Sequence, residues 1–100
     1  MKLAQIVAML ESSDESLCIV AKRPWSSDSE AKLVAFTGEF RISEDVLANG
    51  YKYFLEVSVA VDDVLTGPVA LSAEQRVAAV IYYAENDAYP EWLNELWSGQ

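Results

Sequence analysis

Sixteen carboxylates and no histidine set the chemistry open to this 100-residue chain. Histidine is the commonest general base and transition-metal ligand, and neither role can be filled by it here. The single cysteine, Cys18, stands inside an apolar run with no histidine to activate it. It reads as a small buried apolar side chain. One cysteine rules out an intramolecular disulfide and a zinc site of the usual kind, and suits a reducing compartment. A phosphate-binding glycine loop, a dinucleotide fingerprint and a GxSxG elbow are all absent.

Carboxylates remain, and their spacing decides what they can do. Asp62 and Asp63 are adjacent, so their side chains diverge in a helix or a strand; they read as a helix start favoured by the dipole. Glu85 and Asp87 are two apart and do not face each other on a helix, whereas Glu91 and Glu95 are four apart, share a face and repel mildly. No calcium-loop pattern accompanies them. The chain is therefore expected to be no enzyme and to need no cofactor or metal.

The elements that must position these acids come last in the chain. Ser72 to Trp97, SAEQRVAAVIYYAENDAYPEWLNELW, holds two of the three tryptophans and three of the five tyrosines. Ser72 and Gln75 have the spacing of a capping box. Ala73, Val77, Val80, Ile81, Ala84 and Ala88 then recur at intervals of three and four and predict a long helix. Arg76, Ala79, Tyr83 and Asp87 fall on a neighbouring face, with Tyr83 at the core boundary. The helix should lose register near Ala88-Tyr89, ahead of Pro90, which suits the first turn of a new helix. In that second helix Trp92, Leu93, Leu96 and Trp97 share one side, Glu91, Asn94 and Glu95 the other, and Gly99 is a stop signal.

Two readings of this stretch stand side by side. In one, the aromatics are core and the acids a solvated face. In the other, Tyr82, Tyr83, Tyr89 and Trp97 form a partly exposed patch ringed by acids, suited to binding a protein. The candidate partner-binding residues are Tyr82, Tyr83, Glu85, Asp87, Tyr89, Glu91, Trp92 and Glu95.

Upstream, Leu3, Ile6, Val7 and Leu10 predict a first helix over Lys2–Glu11. Leu17–Lys22 reads as a short strand, and Arg23–Glu30 as a loop whose Trp25 caps one end of the core or, alternatively, stands out as an exposed anchor. Lys32–Phe40 reads as a second strand, apolar on both sides and so expected at the centre of the sheet, with Gly38 marking a bulge or a close approach. Ser43 suits a cap on a single turn over Glu44–Ala48, and Asn49-Gly50 is a turn. Tyr51–Val61 alternates over eleven residues and predicts the longest strand. A short turn or helix from Asp62-Asp63 closes at Gly67-Pro68.

These elements predict a single α+β domain over residues 1–100. It is a small sandwich in which a three-stranded, mainly antiparallel sheet is packed by an N-terminal helix, a long C-terminal helix and a short terminal one. A parallel pair crossing over through Ser43–Gly50 is the alternative, and strand order stays open. The apolar fraction of 52% supports a packed core. The longest apolar runs fall well short of the roughly 20 residues a membrane-crossing helix needs. The N-terminal stretch is amphipathic and reads as part of the fold. A cytoplasmic location is expected.

The net charge of −9 is uneven. Residues 1–52 carry 8 acids and 6 bases, whereas residues 53–100 carry 8 acids and only Arg76. Such a field repels nucleic acid and anionic membranes and speeds encounter with a basic partner. In length, in the lack of catalytic groups and in the acids and aromatics of YYAENDAYPEWLNELW, the chain resembles the small acidic immunity proteins of bacterial toxin systems. That resemblance of type implies a protein that occludes a basic, nuclease-type toxin. Two alternatives stay open: a bacterial or phage adaptor whose acids are solvated surface, and a nucleic-acid mimic that inhibits a nuclease. A homodimer through a strand edge or Trp97 also stays open.

Overall fold

The computed structural model describes residues 1–39, 41–65 and 70–98, apart from the side chain of Trp97. The first helix, α1, runs Leu3–Ala8 and tightens into a 3-10 turn at Leu10–Ser12. It buries Leu3, Ile6, Val7 and Leu10, the residues whose spacing predicts it. Strand β1, Leu17–Lys22, has the predicted bounds. It is followed by β2, Ala31–Ala35, then α2, Glu44–Ala48, and β3, Tyr51–Glu56. The Ser43 side chain caps α2 by accepting from the Val46 N–H, and Gly50 follows with φ 91°, a conformation that favours glycine.

The sheet order is β2-β1-β3, with both pairings antiparallel, so no parallel crossover exists in it. This corrects the expectation of a central second strand: β1 is the centre, with four consecutive buried residues, and β2 is an edge. Both faces of β2 are apolar for separate reasons. Leu33 pairs with Ile19 on the side that meets the helices, and Val34 pairs with Cys18 on the other. The free side of β2 is shielded at its start, where the Ala31 N–H donates to the Met1 carbonyl at 2.7 Å. Gly38 lies beyond the strand, in a turn, and marks no bulge; the irregularity in the sheet falls between Ile19 and Val20. Phe40, the predicted end of the strand, lies outside the described residues.

The predicted long strand over Tyr51–Val61 is also corrected. β3 stops at Glu56, and the chain turns into helix α3, Val57–Val59, continued by a π-helical turn over Ala60–Val64. Val57, Ala60 and Val64 are fully buried, at spacings of three and four. The segment carries both periods, and burial against the core selects the helical one. Asp62 and Asp63 are thus exposed in the second turn of a helix rather than at its start. Gly67-Pro68, the predicted close of this segment, lies outside the described residues.

Helix α4, Ala73–Asn86, and helix α5, Glu91–Ser98, complete the chain. The core gathers Leu3, Ile6, Leu10, Ile19, Phe54, Val57, Val80 and Leu93 between helices and sheet. Trp25 closes one end of it, its ring edge-on to Phe54 at 4.9 Å and its indole N–H donating to the Ala21 carbonyl at 3.2 Å. Cys18 is fully buried, and burial, reinforced by the nearby Glu56 charge, pushes its thiol up to about 12. Among the described residues no helix is long and apolar enough to cross a membrane.

Candidate functional site

The candidate residues all ride on α4, α5 and the turn between them. The α4 start is fixed by the predicted capping box: the Gln75 N–H donates to the Ser72 hydroxyl at 3.1 Å, and the Ser72 N–H donates to Gln75 Oε1 at 2.9 Å. Val77, Ala79 and Val80 face the core. The helix stops at Asn86, two residues short of the expected break, because Asp87 adopts the left-handed conformation (φ 53°) and its N–H donates back to the Tyr83 carbonyl at 2.8 Å. Pro90 is buried, and its carbonyl starts α5 by accepting from the Leu93 and Asn94 N–H groups at 3.1 and 3.3 Å.

Helix α5 folds back along α4. Tyr82 shares a groove with Pro90, Glu91, Trp92 and Glu95, while Glu74, Gln75 and Ala78, nearer the α4 start, share another with Trp92, Glu95 and Leu96. Leu93 is the anchor, with no exposed surface. Burying one leucine contributes about 2 kcal/mol. Trp92 and Leu96 are half-buried along the seam, and Glu91, Asn94 and Glu95 face water, as the predicted division of the helix requires.

The predicted aromatic patch divides into two. Tyr83 and Tyr89 pair with each other at 5.4 Å and pack against the core. The Tyr89 hydroxyl donates to the Asp63 carbonyl at 2.6 Å, which ties the α4–α5 turn to the end of the π-helical turn. Burial, with Tyr83 and Asp63 adding to it, holds the Tyr89 phenol above its usual pKa. Tyr82 points the other way and is 41% exposed. It lines one groove with Trp92, Glu91 and Glu95, whereas Tyr83 and Tyr89 pack against the core. The Trp97 side chain, also assigned to the patch, lies outside the described residues.

Glu74, Gln75, Ala78, Pro90 and Leu96 line the seam without belonging to the candidate partner-binding residues. The signal for Glu74 is present in the sequence, since Glu74, Ala78 and Tyr82 repeat every four residues and so share one stripe of α4. Glu85 extends that stripe to just over three full turns from Glu74.

Charge sharpens the picture. Glu74, Glu85, Asp87, Glu91 and Glu95 are exposed, and among the described residues none joins an ion pair. Arg76, the one base of residues 53–100, is turned away from them. Its guanidinium grips both oxygens of Glu11 at 2.6 and 2.7 Å and donates to the Val7 carbonyl at 2.9 Å. No group of three or more acids and cysteine that could hold a metal ion occurs among the described residues. The arrangement can attract and orient a cation-bearing surface. No family model, curated protein or solved structure matches this chain.

Proposed function

We propose that this is a small acidic protein-binding protein of the immunity type, which neutralises a basic, nuclease-like bacterial toxin by covering it. The observation that carries the reading is the outer face of the α4–α5 pair. It presents the exposed carboxylates of Glu74, Glu91 and Glu95 along the grooves that Tyr82 and the half-buried Trp92 line, with exposed Glu85 and Asp87 near the end of α4, and among the described residues none of the five joins an ion pair. Unpaired acids accelerate encounter with a basic cleft, and amphipathic aromatics at the centre of such a face supply contact area once water leaves. The core and the capping of α4 do not depend on these acids, so the face is available for recognition at little cost to folding.

The test is capture on the immobilised protein from a lysate of its source organism, at low and high salt. A parallel column carries Glu85→Lys, Asp87→Lys, Glu91→Lys and Glu95→Lys together. The reading expects one basic protein, held in a salt-dependent way, absent from the variant column, and losing its nuclease activity or toxicity when the wild-type protein is added. A captured protein that is acidic, indifferent to the four charges, or fully active in the complex would overturn it.

A further inference from the structure

The α4–α5 seam is a trough with a defined floor and rim. Its floor is Ala78, Tyr82, Trp92 and Leu96, and its rim is Glu74 on one helix with Glu91 and Glu95 on the other. The two grooves that compose it, of about 640 and 470 Å³, adjoin at Trp92 and Glu95, which line both. From Glu74 to Tyr82 it spans eight residues of helix, about 12 Å. Glu91 and Glu95 sit on successive turns, about 6 Å apart along the axis.

We propose that this trough receives a protein segment carrying two arginines on either side of an apolar residue; the inference rests on the protein-binding reading and names the chemistry of the partner. Charge complementarity selects the occupant. Phosphates are repelled by the rim, and a divalent ion lacks the clustered ligands it needs among the described residues. An extended segment places alternate side chains about 7 Å apart, close to the spacing of the two glutamates. Arginine suits the site better than lysine because its planar guanidinium stacks on an aromatic face while forking onto a carboxylate.

The protein shows both halves of this chemistry within itself. Arg23 lies over the Trp25 ring with its guanidinium carbon 4.0 Å from the centroid. Arg76 forks onto Glu11. In the trough the same two partners, an indole and carboxylates, stand together without an arginine. The apolar residue between the two cations points to the opposite side of the extended segment, toward Ala78 on α4.

The test is titration of the isotope-labelled protein with a capped Arg-Leu-Arg peptide. Matched peptides replace both arginines by lysine, or the leucine by serine. The Trp92 indole signal is assigned through Trp92→Phe. The expected result is a set of shifts confined to Trp92, Leu96, Ala78 and Tyr82. Binding should weaken at least threefold for either control peptide, and at least tenfold for Glu91→Lys/Glu95→Lys. Asp62→Lys/Asp63→Lys makes the same change of net charge outside the trough, and should weaken binding less than twofold. Equal losses from the two double variants, shifts spread over the acidic surface, or trough shifts that follow protein concentration without peptide would overturn the inference. A partner captured through Glu85 and Asp87 with the trough silent refutes this inference and leaves the protein-binding reading standing. Peptide docking in the trough, with capture yielding only a protein indifferent to the acids, refutes the reading instead.

Discussion

In residues 1–52, Lys2 pairs with Asp28 at 3.3 Å and Lys22 with Glu30 at 2.8 Å, and both lysines hold the chain end and the loop against the sheet. In residues 53–100 the single arginine reaches back to Glu11, and the acids of α4 and α5 are left facing water. The apolar packing differs in the same sense. Phe54 is enclosed by the sheet and Trp25, whereas α5 is attached mainly by Leu93 and by half-buried side chains along the seam. One region uses charge to close its own structure, and the other holds a charged, aromatic surface that its own fold does not use. An exposed surface charge contributes little to stability, so the second arrangement asks for an explanation outside folding.

The comparison breaks most visibly in the core. Phe54→Ala should lower the unfolding free energy by about 3–5 kcal/mol, in one cooperative transition followed by urea denaturation. Leu93→Ala should cost about 2–3 kcal/mol, near the lower end for such truncations, because a terminal helix can shift to close the space. Its near-UV circular dichroism should lose the Trp92 contribution while the far-UV signal of the sheet and α4 persists. Equal losses from the two variants would mean that α5 is as integral as β3.

Capping of α4 is the next smaller effect. Ser72→Ala removes the acceptor for the Gln75 N–H and should cost about 1 kcal/mol in the same denaturation experiment. The smallest concerns pH. The Arg76 hydrogen bonds hold the Glu11 carboxyl below its usual range. A carboxyl with a depressed folded pKa stabilises the fold above its unfolded pKa, and that contribution disappears as pH falls through the folded value. Glu11→Gln should therefore show a shallower loss of stability on the acid side than the wild type, with the two curves separated most at neutral pH.

The sequence predicts the local devices best. The capping box at Ser72, the cap at Ser43, the Asn49-Gly50 turn and the bounds of β1 are all decided by neighbours within a few residues, and all are found as expected. The misses are tertiary. Val57, Val59 and Val61 alternate as a strand would, yet Val57, Ala60 and Val64 are what the core buries, so a distant surface chose between two periods present in one segment. Which strand is central depends on partners more than ten residues away, and the apolar sides of Lys32–Phe40 fit an edge strand as well as a central one. At the candidate site, the exposed faces of Glu91 and Glu95 follow from helical spacing. That Tyr83 and Tyr89 turn inward as a pair while Tyr82 turns outward depends on where α4 ends, and a left-handed Asp87, not Pro90, ends it.

The most direct measurement is the association rate of the captured partner with the wild-type protein and with the fourfold Glu85→Lys, Asp87→Lys, Glu91→Lys, Glu95→Lys variant, at low and at physiological salt. Asp87→Lys alters the left-handed residue that ends α4 and Glu91→Lys the acid in the first turn of α5, so the unfolding free energy of the variant is measured beside the rate and the comparison is made where the variant is fully folded. The account predicts a wild-type rate that falls at least tenfold as salt rises, and a variant rate that is slow and nearly independent of salt. A variant that associates as fast as the wild type, with the same response to salt, would contradict the claim that the outer face of α4 and α5 is what this protein presents to its partner.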